Sequence, residues 1–267
     1  MERKSPIEIT VDQGIGLVRL CRLEKRNALD AGMVQELGRI CFDVEHRDDI
    51  HVVVLTGSDG VFCAGGDINA WSEESATAFS RHWVRDGHDA FDRLARLRQP
   101  VIAVLNGHAL GGGLELAACA DYRVAEVHVK IGQPETGIGI IAGWSGTQRA
   151  VRRFGSQAIR RMALFGEVFT ASEALQLGIV DKVVKTGEGL QAGFEQAGKL
   201  LSRGKVASEV TKMLVNASEG EEHERVLEAF AGRIAAASSE LEEGVKAFKE
   251  KRPPLFADMD WKKTILR

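Results

Sequence analysis

Twice in its first half the chain runs from an apolar strand into a glycine-rich turn and then into a helical stretch. Residues 101–105 are uniformly apolar, the turn that follows carries Gly107, Gly111, Gly112 and Gly113, and residues 114–120 read as a helix start. A short apolar run bounded by turn residues reads as a strand buried on both faces, which requires helices on either side of a sheet. Ahead of it, residues 51–56 read as a strand, Gly57, Gly60, Gly65 and Gly66 punctuate the next segment, and residues 72–98 read as one long helix ending before Pro100. Residues 122–129 read as a further strand.

The flanks extend this pattern. Residues 7–11 and 15–21 alternate and are separated by Asp12, Gln13 and Gly14, which predicts a hairpin. Asp30 is placed to cap a helix in which Val34, Leu37, Cys41 and Val44 recur at helical spacing. Beyond Gly146 the pattern turns helical, over 147–153, 157–165, 171–177 and from Leu190 to the region of Lys251, with only 179–184 reading as strand. No linker composition divides the halves. The expectation is an α/β core over residues 1–185 and a helical region over 186–267.

A chain of 267 residues, 44% of them hydrophobic, can bury a substantial core. The formal net charge of -3 gives no basic footprint, so no nucleic-acid partner is expected. No apolar run approaches the roughly 20 residues of a membrane span, and residues 1–11 lack the apolar core of a signal peptide, so a cytoplasmic protein without membrane association is expected. Cys21, Cys41, Cys63 and Cys119 show no metal-ligand spacing, and His82, His88 and His108 are read as structural, so no metal site is expected.

The two glycine turns match neither a P-loop nor a dinucleotide fingerprint. Glycine there admits close approach of backbone to a ligand, and two such turns can aim two N–H groups at one developing oxyanion. Glu115 follows the triple glycine in an otherwise apolar helix start, where burial raises carboxyl proton affinity and the helix N-terminus lowers it. Glu135 sits behind Pro134 in a loop flanked by Gly137, Gly139 and Gly143. Loops held by rigid scaffolds are where catalytic groups concentrate.

Taken in order, residues 26–29 (Arg-Asn-Ala-Leu), 62–68, 106–116 with its Ala-Leu-Gly-Gly-Gly-x-Glu core, 132–135, 146–149, 171–180 and 243–248 resemble the enoyl-CoA hydratase/isomerase (crotonase) superfamily over nearly the whole chain. The resemblance implies an α/β spiral of repeated ββα units with a helical C-terminal region that forms trimers, or hexamers as dimers of trimers. It implies a coenzyme A thioester as substrate, no separate cofactor, and an oxyanion hole from the N–H groups of Gly66 and Gly112. Glu115 and Glu135 match the two catalytic glutamates of the hydratases, which add water across the double bond of a trans-2-enoyl-CoA. Gly143 matches a position that helps hold the water. Lys25, Arg26, Ala28, Ala64 and, from a neighbouring subunit, Lys251 match coenzyme A contacts.

Two departures stand out. Asn69 occupies a place where relatives often carry a phosphate-binding lysine. Residues 141–146 read Ile-Ala-Gly-Trp-Ser-Gly where hydratases usually show a run of small residues. Trp144 is therefore expected to narrow the acyl pocket, the alternative being a ring turned outward to a helix or subunit contact. On the same scaffold the competing activities are a Δ3,Δ2-enoyl-CoA isomerase or another acyl-CoA lyase, and outside catalysis a binding homologue.

Overall fold

The N-terminal alternation forms a hairpin of β1 (Ile7–Asp12) and β2 (Ile15–Leu20), turned by Gln13 and Gly14, both with positive φ, in a computed structural model that describes residues 5–256. Helix α1 (Ala31–Glu45) follows, with the Asp30 carboxylate accepting from Met33 N–H at 2.9 Å. Its apolar stripe, including Met33, Leu37, Ile40 and Val44, faces the core. β3 (Val52–Gly57) then pairs parallel to β2.

The helix expected over residues 72–98 is broken. α2 (Ile68–Trp71) ends in a turn, Ser75 caps α3 (Ala76–Ala78), a π-helical segment spans Phe79–Val84, and α4 (Arg85–Ala95) completes the run. Ser75 accepts from Ala78 N–H, so the polar residues before it end one helix and start another. β4 (Val101–Leu105), the two-residue β5 (Ala109–Leu110), α5 (Gly112–Ala118), β6 (Tyr122–Glu126) and β7 (Lys130–Gly132) follow. The strand expected over 122–129 ends at Glu126 in a turn, and β7, which follows it, belongs to a different sheet.

Next come α6 (Arg149–Phe154), α7 (Ser156–Phe165), β8 (Val168–Thr170), α8 (Ala171–Gln176), β9 (Lys182–Val184), α9 (Gly189–Leu201) and α10 (Lys205–Ser218). β8 was not expected. It is three residues long and is held by antiparallel pairing to β7, so no local alternation announces it. One sheet has the order β1-β2-β3-β4-β6-β9, antiparallel only at β1, and a smaller one the order β5-β7-β8.

The larger sheet is covered on both faces, which is why β3 and β4 are buried at every position. Val53 and Leu55 point into the main core with α1 and α4, whereas Val52, Val54, Ile102 and Val104 meet Ala197 of α9. Gly193 lets α9 lie close to the strand, since a Cβ there would collide with Val104. Lys212 of α10 is buried against Asp121 (2.7 Å), whose carboxylate also accepts from Val101 N–H. Packing therefore carries the first compact unit past residue 185, to Val215. The second unit, from Asn216, contains α11 (His223–Ala236) and α12 (Ser239–Lys249), with Arg252 paired to Glu243 at 2.7 Å.

Candidate active site

The two glycine turns meet because glycines at 65, 111, 112 and 113 let backbone lie against backbone. Leu29 N–H donates to Gly65 O (2.8 Å), Cys63 N–H to His108 O (3.2 Å) and Leu110 N–H to Cys63 O (3.3 Å), so three loop segments run side by side. Gly113 lies so close to the Cys63 carbonyl that a Cβ would collide with it. Gly65 (φ 108°) and Gly111 (φ 53°) take the left-handed conformations that turn the chain ahead of Gly66 and Gly112. A Cβ on Gly112 would lie 3.3 Å from Gly66 N, which fixes how near the two amides are. Neither amide donates to a backbone acceptor among the described residues.

Glu115, in the first turn of α5, is 3% exposed. Its Oε1 accepts from Trp144 N–H (2.7 Å) and Gly146 N–H (2.8 Å). Burial, reinforced by the charge of Glu135, pushes its pKa up to about 8 against the opposing pull of those two amides and Arg149. Arg149 is itself buried and paired with Asp92. Glu135 begins a 3₁₀ turn (Glu135–Ile138), and burial raises its pKa too. Both its carboxyl oxygens are buried without a hydrogen-bond partner among the described residues, and Oε1 lies over Gly111, 3.1 Å from where a Cβ would be. Two carboxyls with raised proton affinity and mutual repulsion share protons as a pair.

Both glutamates, Gly66, Gly112, Ala64, Gly143 and Trp144 line one cavity of about 410 Å³. The remaining lining is largely apolar and includes Trp71, Phe79, Trp83, Ile138, Ile140 and Ile141. Trp144 is 2% exposed, so the ring turns inward. Its Nε1 donates to Trp83 O (3.0 Å), and its ring stands 4.9 Å from that of Trp83 and 5.1 Å from that of Phe91.

The expected coenzyme A contacts divide. Ala64 N–H donates to Arg26 O (3.1 Å) and Ala28 N–H to Lys25 O (2.9 Å), so residues 25–29 run beside the Ala64 loop. Lys25 and Arg26 are exposed, as is Lys251, which lies in the second unit. Asn69 is exposed, and its N–H is taken by Asp67, which also pairs with Arg22 at 2.9 Å. Among the described residues no group of His, Cys, Asp and Glu has metal-site geometry, and no helix is long and apolar enough to cross a membrane.

Sequence reasoning missed the aromatic wall. Phe79 and Trp83 come from the segment expected as one helix, in its π-helical turn, and Trp71 from α2 just ahead of that segment, and all three line the cavity. The concentration of three of the chain's four tryptophans at 71, 83 and 144 was the available signal. Gln133, whose buried amide nitrogen and oxygen have no hydrogen-bond partner among the described residues, packs beside Gly146 and was likewise unforeseen.

This fold, with paired carboxyls and paired glycine amides in one apolar cavity, agrees with the family to which the sequence matches: the profile of the Enoyl-CoA hydratase/isomerase family covers residues 10–259, and the chain belongs to that family. It is 34% identical over 248 residues to the crotonyl-CoA hydratase of Syntrophomonas wolfei, covering 92% of this chain and 95% of that one. It is 36% identical over 203 residues to the short-chain-enoyl-CoA hydratase of Clostridium acetobutylicum, covering 76% and 77%. Among solved structures, the enoyl-CoA hydratase of Bacillus anthracis superposes with a TM-score of 0.78 at 30% identity, covering 94% of this chain and 98% of that one.

Proposed function

We propose that this protein is an enoyl-CoA hydratase that adds water syn across the double bond of a trans-2-enoyl-CoA to give a 3-hydroxyacyl-CoA. The observation that carries the reading is the convergence of Glu115 and Glu135, both with raised proton affinity, on one cavity that also presents the free amides of Gly66 and Gly112.

The thioester oxygen sits between the Gly66 and Gly112 amides, which stabilise the enolate formed as water attacks the β-carbon. One carboxylate of the pair takes the water's proton, and the other, as the acid, protonates the α-carbon. The unpartnered oxygens of Glu135 and, with Oε1 of Glu115 held by two amides, its Oε2 leave acceptor sites for that water, with Gly143 in the same cavity. The steps move only protons and water, using the protein's own acids and amides, and call for no cofactor. Lys25, Arg26, Ala28 and Ala64, with Lys251 of a neighbouring subunit, hold the coenzyme A portion. The protein acts as a cytoplasmic homotrimer or hexamer assembled through its helical C-terminal region.

Hydration in deuterium oxide tests the reading. Syn addition yields one diastereomer of the 2-deuterio-3-hydroxyacyl thioester. A double bond moved to the 3-position with no hydroxyl incorporated would instead establish isomerisation.

A further inference from the structure

Resting on the hydratase reading, the geometry around Trp144 points to a selection that the catalytic groups alone do not impose. The indole is held at its backbone, its ring nitrogen and its ring. Its backbone N–H is on Glu115, its Nε1 on the Trp83 carbonyl, and its ring between those of Trp83 and Phe91. The seat exists because position 87 of α4 is glycine, since a Cβ there would collide with the indole nitrogen. The six-membered ring then faces the two oxyanion amides, with Cζ3 3.0 Å and Cε3 3.2 Å from a Cβ built on Gly112, and Cη2 3.8 Å from one built on Gly66.

A substrate anchored by its carbonyl oxygen at those amides has its double bond between them and the carboxyls. The next carbon, γ, leaves directly past the Trp144 ring. The rest of the cavity lining is apolar, including Trp71, Phe79, Ile138, Ile140 and Ile141. Core packing transmits strain rather than yielding, so a ring tied at its nitrogen and packed against Trp83 and Phe91 does not make room for a substituent there.

We propose that Trp144, seated by Gly87, is a specificity-determining residue that restricts the enzyme to enoyl thioesters unbranched at the γ-carbon. Two isomeric substrates isolate shape from hydrophobic area: trans-2-hexenoyl-CoA and 4-methyl-trans-2-pentenoyl-CoA contain the same atoms. Wild type should favour the linear isomer in kcat/KM by at least about tenfold, the discrimination that a single misplaced carbon group brings in a filled apolar pocket. Trp144→Ala and the milder Trp144→Phe should reduce this ratio several-fold. Gly87→Ala, which touches no substrate and acts by displacing the indole, should reduce it as well.

Calorimetric binding of the saturated isomers, hexanoyl-CoA and 4-methylpentanoyl-CoA, reads the same selection without chemistry. A wild type that hydrates neither enoyl isomer yet binds the linear thioester preferentially, with the preference lost in Trp144→Phe, would uphold the selection while refuting hydration. Equal treatment of the isomers by wild type in both measurements would overturn the proposal. So would a ratio unchanged in both Trp144→Phe and Gly87→Ala.

Discussion

Glu115 carries opposing influences that its sequence neighbours already suggest. It is buried along with its neighbours Leu114, Leu116 and Ala117, while Trp144 and Gly146 supply N–H donors to its Oε1. Burial prevails, and the folded-state pKa lies near 8, above the ordinary value of 4.5. In the folded protein the carboxyl therefore binds its proton more tightly than in the unfolded chain. The associated stabilisation is complete below about pH 4.5 and is lost as pH rises through about 8. Glu115→Gln keeps an acceptor oxygen for both amides without the charge. Relative to wild type it should gain stability on going from pH 5 to pH 8.5, by on the order of 2 kcal/mol, read as a widening Tm difference. No change in that difference with pH would contradict the buried-acid account. In activity, Glu115→Gln and Glu135→Gln should each lower kcat by roughly 10²–10⁴, and the double variant should be little worse than the worse single one. Hydration near wild type in Glu115→Gln, with total loss in Glu135→Gln, would favour a one-base isomerase.

At the scale of elements, the site depends on how closely α5 presses on the loop after β3. Gly113→Ala places a methyl group against the Cys63 carbonyl and should push the Gly112 amide away from Gly66. Separated oxyanion donors should reduce kcat by about 10²-fold or more, with a smaller change in KM, because the amides act on charge that develops in the transition state. An unchanged kcat in a folded Gly113→Ala variant would show that this contact does not set the donors. The same elements show what the sequence made legible. The hairpin, α1, the buried strands β3 and β4 and the turn into α5 follow from alternation, capping and glycine placement, all local signals. β5, β7 and β8 have two or three residues each and owe their existence to pairing partners distant in sequence. The π-helical turn at 79–84 has no composition of its own, so the aromatic wall that it orients was hidden although Trp71 and Trp83 were in plain view. The two glutamates and two glycines, by contrast, stood in motifs whose order carried the resemblance.

For the whole molecule, α11 and α12 expose Leu227, Ile234, Leu241, Val245 and Phe248, the last 85% exposed. Apolar side chains gathered on a helical pair mark an interaction surface. The proposed trimer or hexamer should appear as a mass of three or six chains in light scattering at micromolar concentration, and a clean monomer would contradict it. The core of sheet and helices, continued to Val215 by α9 and α10, serves to hold two glycine turns and two loops around one cavity. The most direct test of that arrangement follows the absorbance of the enoyl thioester as purified protein meets trans-2-enoyl-CoAs from crotonyl to long-chain and aryl. The account predicts that absorbance falls for at least one of them, with 3-hydroxyacyl-CoA as product and the loss suppressed in Glu115→Gln and Glu135→Gln. Absorbance unchanged across the whole panel would contradict it.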